Sequence, residues 1–160
     1  MKPIILSTPA YATLAENLSR LTGIELGELE IKYFPDGERY MRILCHIQDR
    51  DVYFICSSHS DDDAILSYDF ACGFSKYGAK RMSLIMPYFG YSTMERAVKY
   101  GEIVTAKNRA RLFSSIPSCS YGNRIYSVDL HSEGIPHYFE GDMQVFHIYA
   151  NDLIVNKALE

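Results

Sequence analysis

The chain has no tryptophan in its 160 residues, so its aromatic packing falls to 13 tyrosines and 8 phenylalanines. Tyrosines at this density act mainly as amphipathic packing residues with hydroxyls at the surface, and several suit a subunit interface. No apolar run reaches the length of a membrane span. The amino terminus, Met1 to Ser7, is too short in its apolar part for a signal peptide and reads as a first strand. Positive charge is scarce: 16 Lys and Arg against 20 Asp and Glu give a net charge of -4, which argues against a general nucleic-acid binder. The four cysteines, Cys45, Cys56, Cys72 and Cys119, lack zinc-site spacing. Cys56 and Cys72 read as core thiols, which fits a reducing cytoplasm. Neither a Gly-x-x-x-x-Gly-Lys-Ser/Thr loop nor a Gly-x-Gly-x-x-Gly fingerprint is present, so the two commonest routes to nucleotide binding are closed.

With 48% hydrophobic and 22% charged residues, the composition is that of a folded domain, and the length suits one. Apolar runs at Ile4–Ser7, Asp51–Cys56, Met82–Met86, Arg124–Val128 and Phe146–Tyr149 predict strands. Helical spacing predicts helices over 10–21, from the acidic cap at Ser60–Asp63 to about Tyr77, and over 105–115. Glu30–Phe34 and Arg39–Leu44 flank a Pro-Asp-Gly turn and predict a hairpin or tight corner near residues 30–44. The alternation implies an α/β fold: a mostly parallel twisted sheet with helices on both faces. Residues 1–150 read as the domain. Residues 151–160 read as a terminal helix or the start of a linker.

Two loops should leave the carboxyl ends of strands and meet in one crevice: Pro87-Tyr88-Phe89-Gly90-Tyr91 and Asp129-Leu130-His131. Gly90 would let backbone approach a ligand closely. Asp129 and His131, two apart, share a side while the strand persists, and could meet a divalent cation or a phosphate. Equally, Asp129 could cap the turn while His131 bonds locally. Phe34, Asp36 and Glu38 alternate, and an extended backbone would direct them together, a ring beside two acceptors suited to a purine. A plain turn with an anchoring phenylalanine accounts for them as well. The basic cluster Lys99, Lys107, Arg109 and Arg111 suits a small anion or a solvated helix face. His137 and His147 read as packing or surface residues.

Taken in order, Phe34-Pro35-Asp36-Gly37-Glu38, Asp51-Val52-Tyr53, Lys80-Arg81, Pro87-Tyr88-Phe89-Gly90-Tyr91, Thr105-Ala106-Lys107, Asp129-Leu130-His131 and Tyr149-Ala150 resemble the amino-terminal half of the ribose-phosphate diphosphokinases, the phosphoribosyl pyrophosphate (PRPP) synthetases. That resemblance implies a phosphoribosyltransferase-like (type I) domain, dependence on Mg²⁺, and transfer of the β,γ-diphosphate of ATP to ribose 5-phosphate. It gives Phe34, Asp36 and Glu38 the adenine of a neighbouring subunit's ATP, which implies a homo-oligomer. It gives Asp129 and His131 the metal and phosphates, with His131 the catalytic candidate. It also places Thr93 and Met94 where an arginine and a glutamine approach ATP in the family.

Several positions depart from the family pattern. Ser92-Thr93-Met94-Glu95-Arg96 replaces Ala-Arg-Gln-Asp-Arg, and Thr93 has no guanidinium for a phosphate. Asp61-Asp62-Asp63 replaces Asn-Asp-Asn and adds negative charge. Ile47-Gln48-Asp49-Arg50-Asp51 replaces Val-Arg-Gly-x-Asp, and Gly101 stands in place of an arginine. The family's carboxyl-terminal half, which carries the ribose-phosphate loop, has no counterpart in these residues. The expectation is therefore an ATP-side domain incompetent alone, with a catalytically degenerate regulatory or assembly domain as the alternative.

Overall fold

A computed structural model describes residues 2–160; Met1 lies outside the described residues. Six strands form one sheet: β1 (Ile4–Ser7), β2 (Glu25–Leu26), β5 (Asp51–Ile55), β6 (Arg81–Met86), β7 (Asn123–Val128) and β8 (Gln144–Ile148). Their order is β2-β1-β5-β6-β7-β8, and every pairing is parallel. The predicted strands are all present to within two residues at either end. The two-residue β2 was not foreseen, because Glu25-Leu26 has no periodicity to read.

Two further strands, β3 (Leu29–Tyr33) and β4 (Arg39–Ile43), make the expected antiparallel hairpin as a separate small sheet. The helices are α1 (Ala12–Thr22), α2 (Asp61–Lys76), α3 (Thr105–Ser114) and α4 (Asn151–Ala158). A short 3₁₀ turn at Pro9–Tyr11 precedes α1, and another spans Ile135–Tyr138. Helix α2 starts where the sequence says it should. Ser60 Oγ accepts the Asp63 N–H at 3.0 Å while the Asp63 carboxylate accepts the Ser60 N–H, a reciprocal cap.

Strand alternation sends Ile4, Leu6, Val52, Phe54, Leu84 and Ile125 to one face, where α2, α3 and the hairpin close over them. Ile5 and Ile55 go to the other face, under Ala15 and Leu18 of α1. Helices therefore lie on both faces, as expected. The hairpin docks through Leu29, Ile31, Met41 and Ile43, every second residue of each strand.

Because all six strands run the same way, their carboxyl ends share one edge. The strand order reverses between β1 and β5, where the Thr8 N–H donates to the Ile55 carbonyl at 3.0 Å. Loops 87–94 and 129–131 leave the next two strands along that edge, β6 and β7, which are adjacent.

Candidate functional site

The amino end of α2 is the node of this edge. Gly90 N–H donates to Ser58 Oγ at 2.9 Å, and a Cβ built on Gly90 would stand 1.8 Å from the Ser58 carbonyl oxygen. The glycine is thus required by contact between two of the protein's own backbones. This corrects the expectation that it admits a ligand: Gly90 is buried against the turn that leads into α2. The next residue, Tyr91, has φ +61°, strained for a bulky side chain. Its hydroxyl donates to Asp61 Oδ1 at 2.8 Å. Arg109 of α3 pairs with the same oxygen, its guanidinium carbon 4.8 Å from the centre of the Tyr91 ring.

Thr93 and Met94 follow in an exposed turn. The Met94 N–H donates to the Tyr91 carbonyl at 2.9 Å, and the Met94 carbonyl accepts the Ala106 N–H at 3.3 Å, which docks the turn on the start of α3. The three consecutive acids do not stand as bare charge. Asp61 is held by Arg109 and Tyr91, Asp62 pairs with Arg39 at 3.2 Å, and Asp63 closes the cap of α2. Three of the four residues of the basic cluster are likewise engaged: besides Arg109, Arg111 pairs with Glu140 at 2.8 Å and the Lys107 ammonium lies 5.8 Å from the Tyr138 ring. Gly101, where the resemblance places an arginine, has φ +89°, a conformation that disfavours any side chain.

The second loop is anchored from β8. Strand β7 ends at Val128, and Asp129 has φ +44°, so strand alternation does not carry through to His131 as the spacing argument required. The Asp129 N–H donates to the Ile148 carbonyl at 3.0 Å, and its Oδ1 accepts the Ala150 N–H at 2.9 Å. The Leu130 N–H donates to His147 Nε2 at 2.9 Å, and the His147 ring packs 4.2 Å from that of Tyr149. His147 is therefore a support of the candidate loop, missed because nothing in the sequence links it to residues 17 positions earlier. Both Asp129 and His131 are exposed, and among the described residues the second Asp129 oxygen has no protein partner.

Phe34, Asp36 and Glu38 share one tight turn, not the extended backbone expected. The Gly37 N–H donates to the Phe34 carbonyl at 2.9 Å, the Phe34 N–H to the Glu38 carbonyl at 2.8 Å, and the Glu38 N–H to Asp36 Oδ1 at 3.1 Å. Phe34 is 51% exposed, with its ring edge-on to Tyr40 at 6.3 Å. Among the described residues, no hydrogen bond, ion pair or aromatic contact joins the 34–38 turn, the 93–94 turn and the 129–131 loop directly. The first two are linked through α2: Arg39 beside the hairpin tip to Asp62, and Tyr91 to Asp61.

As a metal site the edge offers one free carboxylate oxygen at Asp129 and the His131 ring. Among the described residues no group of three or more His, Cys, Asp or Glu side chains converges. That donor set fits Mg²⁺ of the kind that keeps most of its waters and arrives with nucleotide phosphates, needing only one or two carboxylates from the protein.

Residues 3–116 match the family described as the N-terminal domain of ribose phosphate pyrophosphokinase. The chain belongs to that family. It is 30% identical over 148 residues to a ribose-phosphate pyrophosphokinase of Saccharolobus solfataricus, covering 91% of this chain and 50% of the relative. It is 33% identical over 137 residues to that of Methanosarcina acetivorans, covering 84% of this chain and 44% of the relative. The chain thus spans about half the length of the curated relatives it matches. In fold it is similar to the crystal structure of phosphoribosylpyrophosphate synthetase from Mycobacterium smegmatis, with a TM-score of 0.85 at 21% identity over 98% of this chain and 52% of that one. The fold is the phosphoribosyltransferase-like (type I) arrangement, with its short antiparallel hairpin set on the parallel sheet. No helix among the described residues is long and apolar enough to cross a membrane.

Proposed function

We propose that this chain is the ATP-side domain of a ribose-phosphate diphosphokinase, which converts ATP and ribose 5-phosphate to PRPP and AMP, and that it does not turn over alone. The observation that carries the reading is that loops 87–94 and 129–131 leave adjacent parallel strands at the same edge of the sheet, in a chain of this family. Strain at Tyr91 and Asp129, one in each loop, suits residues held for a ligand at a cost in backbone energy.

In this reading Asp129 and His131 face the Mg²⁺ and phosphates, with His131 the catalytic residue. Mg²⁺ would neutralise charge on the phosphates as the diphosphate is transferred. The protein's share is to hold the 129–131 loop rigid through His147 and Ala150, so that the Asp129 oxygen is fixed before the nucleotide arrives. Thr93 and Met94 line the approach to the phosphates. Phe34, Asp36 and Glu38 serve the adenine of a neighbouring copy, so the chain works as a homo-oligomer, and their exposure at the hairpin tip leaves them free to do so. Residues 1–150 form the domain and 151–160 lead on from it. The sugar-phosphate site belongs to the half of the relatives that this chain does not span. Four free thiols suit a cytoplasmic setting.

Calorimetric titration with ATP, with and without Mg²⁺, tests the reading. Weak, millimolar-range binding is expected. Phe34→Ala should cost about 1–3 kcal/mol, the scale of a base stacked on an aromatic ring. His131→Ala should act mainly on the Mg²⁺-dependent part. Sedimentation as a strict monomer at tens of micromolar (an order-of-magnitude condition for a functional assembly) counts against the shared adenine corner. PRPP formation by the purified chain would overturn its incompetence. The alternative, a degenerate regulatory or assembly domain, draws support from Thr93, Met94 and Gly101. Absence of any nucleotide binding by the folded protein would put it ahead.

A further inference from the structure

Position 93 offers a threonine to the crevice, yet the same turn is not without a guanidinium. Arg109 reaches it from α3, one helical turn beyond Ala106, whose N–H holds the Met94 carbonyl at 3.3 Å. Its guanidinium lies over the Tyr91 ring, two residues from Thr93, and its side chain is only 20% exposed. The Asp61 carboxylate it meets is 69% exposed. Only one of its nitrogens, Nη2, has a hydrogen-bond partner among the described residues, so most of its five donors are uncommitted. A guanidinium stacked on an aromatic ring and fixed at one corner is already oriented, and little entropy remains to be lost when it takes a second acceptor.

We propose that Arg109 is the anion-binding residue of this crevice. It would take the phosphate oxygens of a nucleoside polyphosphate by exchanging its exposed Asp61 partner for them. This rests on the nucleotide reading above and goes beyond it, because Arg109 lies outside every motif that carries the family resemblance. Phosphate offers more charge and a bidentate edge to a planar fork, so it outcompetes a single carboxylate oxygen at the surface. The alternative role for the same contacts is a clasp tying α3 to the start of α2. The two roles differ in sign for Asp61. A clasp is damaged equally from either end, whereas an anion site is damaged by loss of Arg109 and improved by loss of its competitor.

The test is calorimetric or NMR titration with ADP and with adenosine in metal-free buffer, on wild type, Arg109→Met, Arg109→Lys and Asp61→Asn. Thermal melting of each variant verifies folding. ADP binding by Arg109→Met should fall roughly tenfold or more, the scale of one lost charge-assisted contact, with adenosine binding unchanged. Arg109→Lys should lie between wild type and Arg109→Met, and Asp61→Asn should bind ADP severalfold tighter than wild type. Unchanged ADP affinity in Arg109→Met, or equal weakening by Arg109→Met and Asp61→Asn, would overturn the inference. If wild type binds adenosine but ADP no more tightly, the nucleotide reading survives and the Arg109 inference fails. If it binds neither, the nucleotide reading fails and takes this one with it.

Discussion

The two faces of the sheet are finished differently. On one, each register row meets a helix or the hairpin: Leu6, Phe54, Leu84 and Ile125 stand side by side, all at 0% exposure. On the other, the row Ser7, Ile55, Ile85, Tyr126, Phe146 begins under α1 and runs out of cover. Ile55 is 0% exposed, Ile85 and Tyr126 are half-buried, and Phe146 is 41% exposed. Helix α4 does not close the gap, for it has no buried residue and leaves Leu153, Ile154 and Val155 exposed. The candidate site sits where the closed face ends: loop 87–94 is pinned on α2 and α3, which belong to that face. Rigidity is thus concentrated where positioning matters, and the open face carries no site residue.

Truncation on the closed face should break this contrast most severely. Phe54→Ala removes a ring that contacts Phe70 at 6.0 Å and Phe74 at 5.0 Å. The expected loss is about 3–5 kcal/mol in urea unfolding, the usual cost of emptying a phenylalanine site in a core. Next comes Gly90→Ala, whose methyl would collide with the Ser58 carbonyl and force two backbones apart. A loss of about 1–3 kcal/mol is expected, on the scale of overpacking. Broadening or shifts in the NMR signals of loop 87–94 should accompany it. A Gly90→Ala protein as stable as wild type would show that the loop is free to lift and that α2 does not pin it.

How far the sequence told this in advance depends on the range of the interaction. Strands β1, β5, β6 and β7 were legible because buried parallel strands are continuous apolar runs, and α2 because its cap is local. The hairpin was legible from Pro35 and Gly37. The roles of individual site residues were less so, since they rest on partners far along the chain. Asp61 meets Arg109 across 48 residues, Gly90 meets Ser58 across 32, and Leu130 meets His147 across 17. Arg50 is the clearest case. It falls on the unspecified position of the Val-Arg-Gly-x-Asp pattern, yet it is buried, donating to the Lys2 carbonyl at 2.8 Å and the Pro3 carbonyl at 2.9 Å and pairing with Glu25 at 2.6 Å. No local pattern announces such a staple.

Cysteine chemistry gives a smaller effect and separates the fully buried thiols of the closed face from the half-buried ones at its margin. Burial raises the Cys119 thiol from an ordinary value of 9.0 to about 11 and pushes Cys56 up further. Both pack in the closed core. A thiol whose pKa is raised on folding keeps its proton in the native state while the unfolded chain loses it. Its stabilisation is therefore whole below about pH 9 and falls away as pH rises towards 11. The urea midpoint should drop across that interval, and Cys119→Ala should show a shallower drop. At neutral pH, Cys56 should be alkylated only on the timescale of unfolding, more slowly than the half-buried Cys45 and Cys72. Rapid modification of Cys56 in the folded protein would mean that the closed face opens readily.

The smallest effect is expected on the open face and sharpens the comparison most. Phe146 stacks on Tyr126 at 4.8 Å with the Arg124 guanidinium 5.9 Å from its ring, but its outer side meets solvent. Phe146→Ala therefore forfeits one aromatic pair and part of a burial term, and should cost about 1 kcal/mol or less. The measurement should be made at two protein concentrations well apart. If the cost is small at both, the face is open in solution, as in the isolated chain. If it grows with concentration towards that of Phe54→Ala, another copy covers Phe146, because only a contact made on association scales that way. That outcome would replace the picture of one finished and one unfinished face with a sheet closed on both sides by assembly.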